Sequence, residues 1–125
     1  MRTLIIDDSR LDRQLIRKLL KTSDIEVDIE EAEDASSALD TLADNAFDCL
    51  VVDQRMPGIV GTEFIRTFRD REEGTRTPIL VLSGDHATKL TIEEALGAGG
   101  DFFMAKKDLT AKRLKAALSC LGQAR

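Results

Sequence analysis

Tryptophan and tyrosine are absent from this 125-residue sequence, and it holds two prolines, two cysteines and one histidine. The two cysteines have no metal-ligand spacing. Cys49 lies in an apolar stretch and Cys120 in a terminal helical pattern, so reduced thiols and a cytoplasmic setting are expected. Basic residues form no patch, and the net charge of −5 argues against direct nucleic-acid binding by this chain. No apolar run reaches the length of a membrane span, and the start lacks the basic-then-apolar layout of a signal peptide. Repeats and low-complexity linkers are missing too. What remains, 42% hydrophobic and 33% charged residues, is the composition of a soluble globular protein, read as one domain over residues 1–125.

Strand and helix signals alternate along the whole chain. Thr3 to Ile6 reads as a strand. Ser9 then caps a helix with Leu11, Leu15, Ile16, Leu19 and Leu20 on one face, and Asp12 completes a capping-box pattern. Ile25, Val27 and Ile29 alternate with acidic residues, as in an edge strand with one wet face. Ala35 to Asn45 is a second helix, burying Ala38, Leu39 and Leu42, and Phe47 to Val52 a central strand. The Met56-Pro57-Gly58 turn leads to a helix with Phe64, Ile65 and Phe68 inward. Pro78 opens a fourth strand, where its missing N–H costs little. A short helix from Thr88 to Ala98 stops at Gly99-Gly100. The last strand carries Phe102, read as core, and Phe103. A helix from Leu109 to Leu121 follows, with Leu114, Ala117, Leu118 and Leu121 inward. Regular βα alternation implies a doubly wound parallel sheet covered on both faces, and the wet second strand suggests the flavodoxin-like order 2-1-3-4-5.

In that order the apolar runs end at the carboxyl edge of the sheet, where open α/β folds place their ligand sites. Leu4-Ile5-Ile6 ends in Asp7-Asp8, Cys49-Leu50-Val51-Val52 in Asp53, Ile79-Leu80-Val81-Leu82 in Ser83, and Phe102-Phe103-Met104-Ala105 in Lys106. Three crowded carboxylates repel one another unless a cation joins them, and hard oxygen donors suit Mg²⁺. The hydroxyl and ammonium are what an incoming phosphoryl group needs. The pattern points to a phosphoryl-accepting site.

These segments resemble, over nearly the whole chain, the receiver domain of two-component response regulators. The resemblance rests on Leu4-Ile5-Ile6-Asp7-Asp8-Ser9, on Asp48 through Gly58 with its Met-Pro-Gly turn, on Pro78 through Gly84, and on Ala98 through Lys106. It implies Asp53 as nucleophile and phosphoacceptor. It further implies Mg²⁺ held by Asp8, Asp53 and the Arg55 carbonyl, with Asp7 acting through water. Lys106 would pair with the phosphoryl oxygens, Ser83 would hydrogen-bond them, and Phe103 would be the aromatic that reorients. A histidine kinase or phosphotransfer protein would supply the phosphoryl group. An effector would read the surface of the fourth helix, fifth strand and fifth helix, and a phosphorylation-dependent dimer is a further expectation. Three positions depart from the family's habit. Lys107 stands where proline is usual after the lysine, Val60 where an acid is common, and Ser83 where threonine is commoner. The doubled Lys106-Lys107 leaves the choice to spacing from Phe103, which selects Lys106.

Plainer readings stand beside these. Asp7-Asp8 could simply favour a helix N-terminus, and Ser83 could be a turn residue. Gly97, Gly99 and Gly100 precede a strand rather than opening a helix, so they read as a helix stop. His86 is single, and the acidic run from Asp24 to Asp34 reads as a solvated face. Arg55 and Asp85 are expected to flank the pocket mouth as an ion pair. Two other function classes compete. A phosphohydrolase of the haloacid dehalogenase type wants two aspartates two residues apart on one strand end, whereas Asp53 is followed by Gln54-Arg55. A pseudo-receiver would lack some of the five key side chains, all present here.

Overall fold

A computed structural model describes residues 1–54, 61–84 and 89–123, the last three without their side chains. The Met56-Pro57-Gly58 turn, Arg55, Val60, Asp85, His86, Thr88 and the Leu121 side chain therefore lie outside the described residues. Strands β1 (Arg2–Ile6), β2 (Asp28–Ala32), β3 (Cys49–Asp53), β4 (Ile79–Ser83) and β5 (Phe102–Ala105) alternate with helices α1 (Arg10–Thr22), α2 (Ala35–Asp44), α3 (Gly61–Arg71), α4 (Lys89–Ala98) and α5 (Ala111–Gln123). The strands form one parallel sheet in the order β2-β1-β3-β4-β5, as the wet second strand and the regular alternation led us to expect.

Every residue of β3 and β4 is buried, because helices cover both faces of the sheet. Leu4, Ile6, Leu50, Val52, Ile79 and Val81 pack with Phe64, Ile65 and Phe68 of α3 on one face. Ile5, Val51, Leu80 and Leu82 pack with Ile16 and Leu20 of α1 and Leu114 and Leu118 of α5 on the other. Successive strand side chains alternate between the two cores, which explains uninterrupted apolar runs in the middle of the sheet.

Helix α1 departs from the expected single apolar face. Ile16 and Leu20 are buried, but Leu11 is 76% and Leu15 47% exposed. At about 100° per residue the five apolar positions spread over roughly half the helix, and the sheet covers only one flank of that arc. Ser9 Oγ accepts from the Asp12 amide at 3.2 Å, giving one half of the capping box. The other half is not made by Asp12: the Ser9 amide donates to Asp7 Oδ1 at 2.8 Å.

The second strand begins later than the alternation suggested. Asp28 pairs with Arg2, where β1 itself starts, so Ile25 and Val27 precede the ladder and pack beneath α1 and α5. Phe102 is a second correction. It pairs with Leu80 on the outermost strand and is 39% exposed rather than core, because a strand with a neighbour on one side only is less covered. Phe103, one residue on, points to the opposite face and packs against the α3-side core.

Helix α4 ends as the Gly99-Gly100 pair predicts. The Gly100 amide bonds Ala95 O at 3.0 Å and the Gly99 amide bonds Leu96 O at 3.1 Å, with Gly99 at φ 124°, the geometry of a Schellman stop. Gly61 at the start of α3 is required for a different reason. A Cβ there would lie 2.5 Å from the Asp53 carbonyl oxygen and 2.8 Å from Gln54 Cα. Gly61→Ala is expected to push back the end of β3 and lower the unfolding free energy by about 1–3 kcal/mol, as measured by urea denaturation. A midpoint equal to the parent's would show that the backbone yields without cost.

Candidate functional site

Four of the five strands deliver a polar residue to the carboxyl edge of the sheet. Asp7 follows β1, Asp53 ends β3, Ser83 ends β4 and Lys106 follows β5 in a short 3₁₀ turn, Lys106–Asp108. Asp7, Asp53 and Ser83 are buried, while Asp8 is exposed. Because β1 and β3 are neighbours in register, with Ile6 opposite Val52, the two acidic strand ends converge. One carboxylate oxygen each from Asp7, Asp8 and Asp53 lies within 4.8 Å of the others.

Lys106 is set into this cluster. Its Nζ lies 2.9 Å from Asp7 Oδ2, 3.4 Å from Asp53 Oδ2 and 2.7 Å from Asp12 Oδ2. Burial alone would lower the pKa of this ammonium. The hydrogen bond to Asp12, the contact with Asp7 and the charges of Asp53 and Asp7 outweigh that and hold it above the ordinary lysine value. Lys107 is exposed. Asp7 Oδ2 is buried and takes no hydrogen bond among the described residues, although Lys106 Nζ is close by. The distance is that of an ion pair, and the oxygen keeps acceptor capacity for a cation. Three convergent hard oxygens with an unsatisfied buried one fit a Mg²⁺ ion.

Among the described residues Ser83 Oγ donates to the adjacent Gly84 carbonyl, at a long 3.4 Å, and a Cβ on Gly84 would meet nothing within 4 Å of them. Phe103 is two residues before Ala105, the register partner of Ser83, on the half-buried fifth strand.

Two contacts had no sequence signal of their own. Asp12 read as a cap residue, yet its carboxylate bonds Lys106. Gln54 follows Asp53 and donates from Nε2 to Thr91 O at 3.0 Å, tying the end of β3 to the first turn of α4.

An open parallel sheet with an acidic cluster and an ammonium at its switch point defines a doubly wound α/β domain with one edge-of-sheet site. The response regulator receiver domain family model matches residues 3–119, and the chain belongs to that family, the receivers of two-component signalling. It is 35% identical over 115 residues to the chemotaxis protein CheY of Pseudomonas aeruginosa, covering 92% of this chain and 90% of that one. It is 34% identical over 116 residues to the sensory/regulatory protein RpfC of Xanthomonas campestris, covering 91% of this chain but 16% of that protein. Among solved structures, Vibrio cholerae chemotaxis protein CheY4 superposes with a TM-score of 0.84 at 27% identity, covering 96% of this chain and 97% of that one. Among the described residues no helix is long and apolar enough to cross a membrane.

Proposed function

We propose that this receiver is a phosphorylation-dependent switch that takes a phosphoryl group onto Asp53. The observation that carries the proposal is the single point where the Asp53 carboxylate, the Lys106 ammonium and two further carboxylates meet, at a sheet edge. In the forward step an Asp53 carboxylate oxygen attacks the phosphorus of a phosphohistidine in line. The new O–P bond forms as the N–P bond breaks, and the imidazole leaves with the bonding pair and takes up a proton. The donor is a histidine kinase or a phosphotransfer protein. Asp7, Asp8 and Asp53, with the Arg55 carbonyl outside the described residues, would hold Mg²⁺, which when bound offsets phosphoryl charge. Lys106 pairs with the phosphoryl oxygens, and catalysis by the chain is charge neutralisation and positioning.

The acquired dianion then competes for the Ser83 hydroxyl, whose bond to Gly84 O is a long one. Moving that hydroxyl inward opens room for Phe103 to turn, and a few kcal/mol of differential contact shifts a two-state population by orders of magnitude. The surface of α4, β5 and α5 changes with it. Leu90, Leu96 and Phe102 are exposed there, in keeping with an effector or a second copy of the chain docking on this face. A cytoplasmic setting belongs to the same proposal.

Purified protein incubated with acetyl phosphate and Mg²⁺ should gain one phosphoryl group by intact mass, and lose the gain when Mg²⁺ is chelated. Multiple turnover of a generic phosphomonoester without a labelled protein would instead make the site a hydrolase.

A further inference from the structure

Asp12 lies in the first turn of α1, which starts directly after Asp7 and Asp8 and so borders the site. Its amide is held by Ser9 Oγ, and the helix N-terminus favours a carboxylate there. The carboxylate accepts from Lys106 Nζ at 2.7 Å, across 94 residues of sequence. The same ammonium stands 0.7 Å farther from Asp53, at 3.4 Å against 2.7 Å.

A lysine ammonium has three donors and no acceptor, and here three carboxylates, Asp7, Asp12 and Asp53, surround it. An arriving anion therefore competes with these carboxylates for the Lys106 ammonium, and Asp12 holds it by a hydrogen bond. Asp7 and Asp53 belong to the acidic cluster that can hold a cation, whereas Asp12 lies outside it. Asp12 is therefore the contact that is given up.

We propose that Asp12 is a positioning residue that holds Lys106 off Asp53 in the resting state and thereby weakens the site's grip on an anion. The inference rests on Asp53 and Lys106 forming the phosphoryl site, and adds a competitor built into α1. Its negative charge acts in the same direction, since a phosphodonor is itself anionic. The resting receiver is thus held back by its own helix.

Beryllofluoride, which binds a carboxylate oxygen as a phosphoryl mimic, separates this proposal from the reading it rests on. Amide NMR titrations with excess Mg²⁺ would compare the parent, Asp12→Asn and Asp12→Glu. The Ser9 cap uses the Asp12 amide and survives both changes, and the spectra themselves report folding. Half-saturation should fall about fivefold in Asp12→Asn and stay within about twofold of the parent in Asp12→Glu. The Lys106 side-chain resonances of the ligand-free protein should move in Asp12→Asn. Unchanged or weaker binding in Asp12→Asn, or a Lys106 signal that does not move, would overturn the role of Asp12. A parent protein that does not respond to beryllofluoride at all would instead remove the phosphoryl site itself.

Discussion

Replacing Arg69 by alanine should lower the unfolding free energy by about 3 kcal/mol, the cost of removing one partner from a part-buried ion network. Arg69 donates to both Glu72 carboxylate oxygens at 2.8 and 2.9 Å, to Thr77 O at 2.7 Å, to Gly99 O at 3.1 and 2.8 Å, and to Asp101 Oδ2 at 3.0 Å. Asp101 also accepts from the Ile79 amide at 2.9 Å and from Arg76 at 2.6 Å. One side chain thus joins the end of α3, the entry to β4, the end of α4 and the entry to β5. Alanine would leave carbonyls and carboxylates in a half-buried place without their donor. Arg69→Lys keeps the charge but not the fork, and should recover only part of the loss. Urea unfolding is the measurement, and a change below about 0.5 kcal/mol would mean that Arg76 alone holds the cluster. The network sits at the amino edge of the sheet, opposite the acidic site, so Mg²⁺ affinity of the folded variant should not change.

Asp8→Asn should do the reverse. Asp8 is the exposed member of a cluster whose oxygens converge within 4.8 Å, and removing its charge relieves repulsion from Asp7 and Asp53. Stability should therefore be equal to the parent's or higher. Mg²⁺ binding should weaken about tenfold or more, because an ionised ligand is lost from the set. With no tryptophan or tyrosine in the chain, the titration is best followed by calorimetry or NMR. Equal affinity in parent and variant would take Asp8 out of the metal site.

These two variants also mark how far the sequence could be read. Asp7, Asp8, Asp53, Ser83 and Lys106 were visible because each follows an apolar run, and such a run in a buried parallel strand can only end at the sheet's carboxyl edge. The strand order followed from one wet strand among dry ones. Nothing comparable marks Arg69 as more than a helix surface residue: its partners come from loops up to 32 residues away. Asp12 was hidden for a similar reason, since a cap pattern accounted for it locally and Lys106 meets it only in the folded chain. Leu11 and Phe102 show the opposite failure. Apolar character predicted burial, but which flank of α1 and which edge of the sheet stay uncovered is decided by packing, not by local pattern.

The identity of the phosphorylated atom decides whether Asp53 is the acceptor. Protein treated with acetyl phosphate and Mg²⁺ can be reduced with borohydride, which converts an aspartyl phosphate to homoserine, and then mapped by peptide mass spectrometry. Homoserine at position 53, and no labelling of Asp53→Asn, is the predicted result. Homoserine at position 7, 8 or 12, or a label that survives in Asp53→Asn, would contradict it.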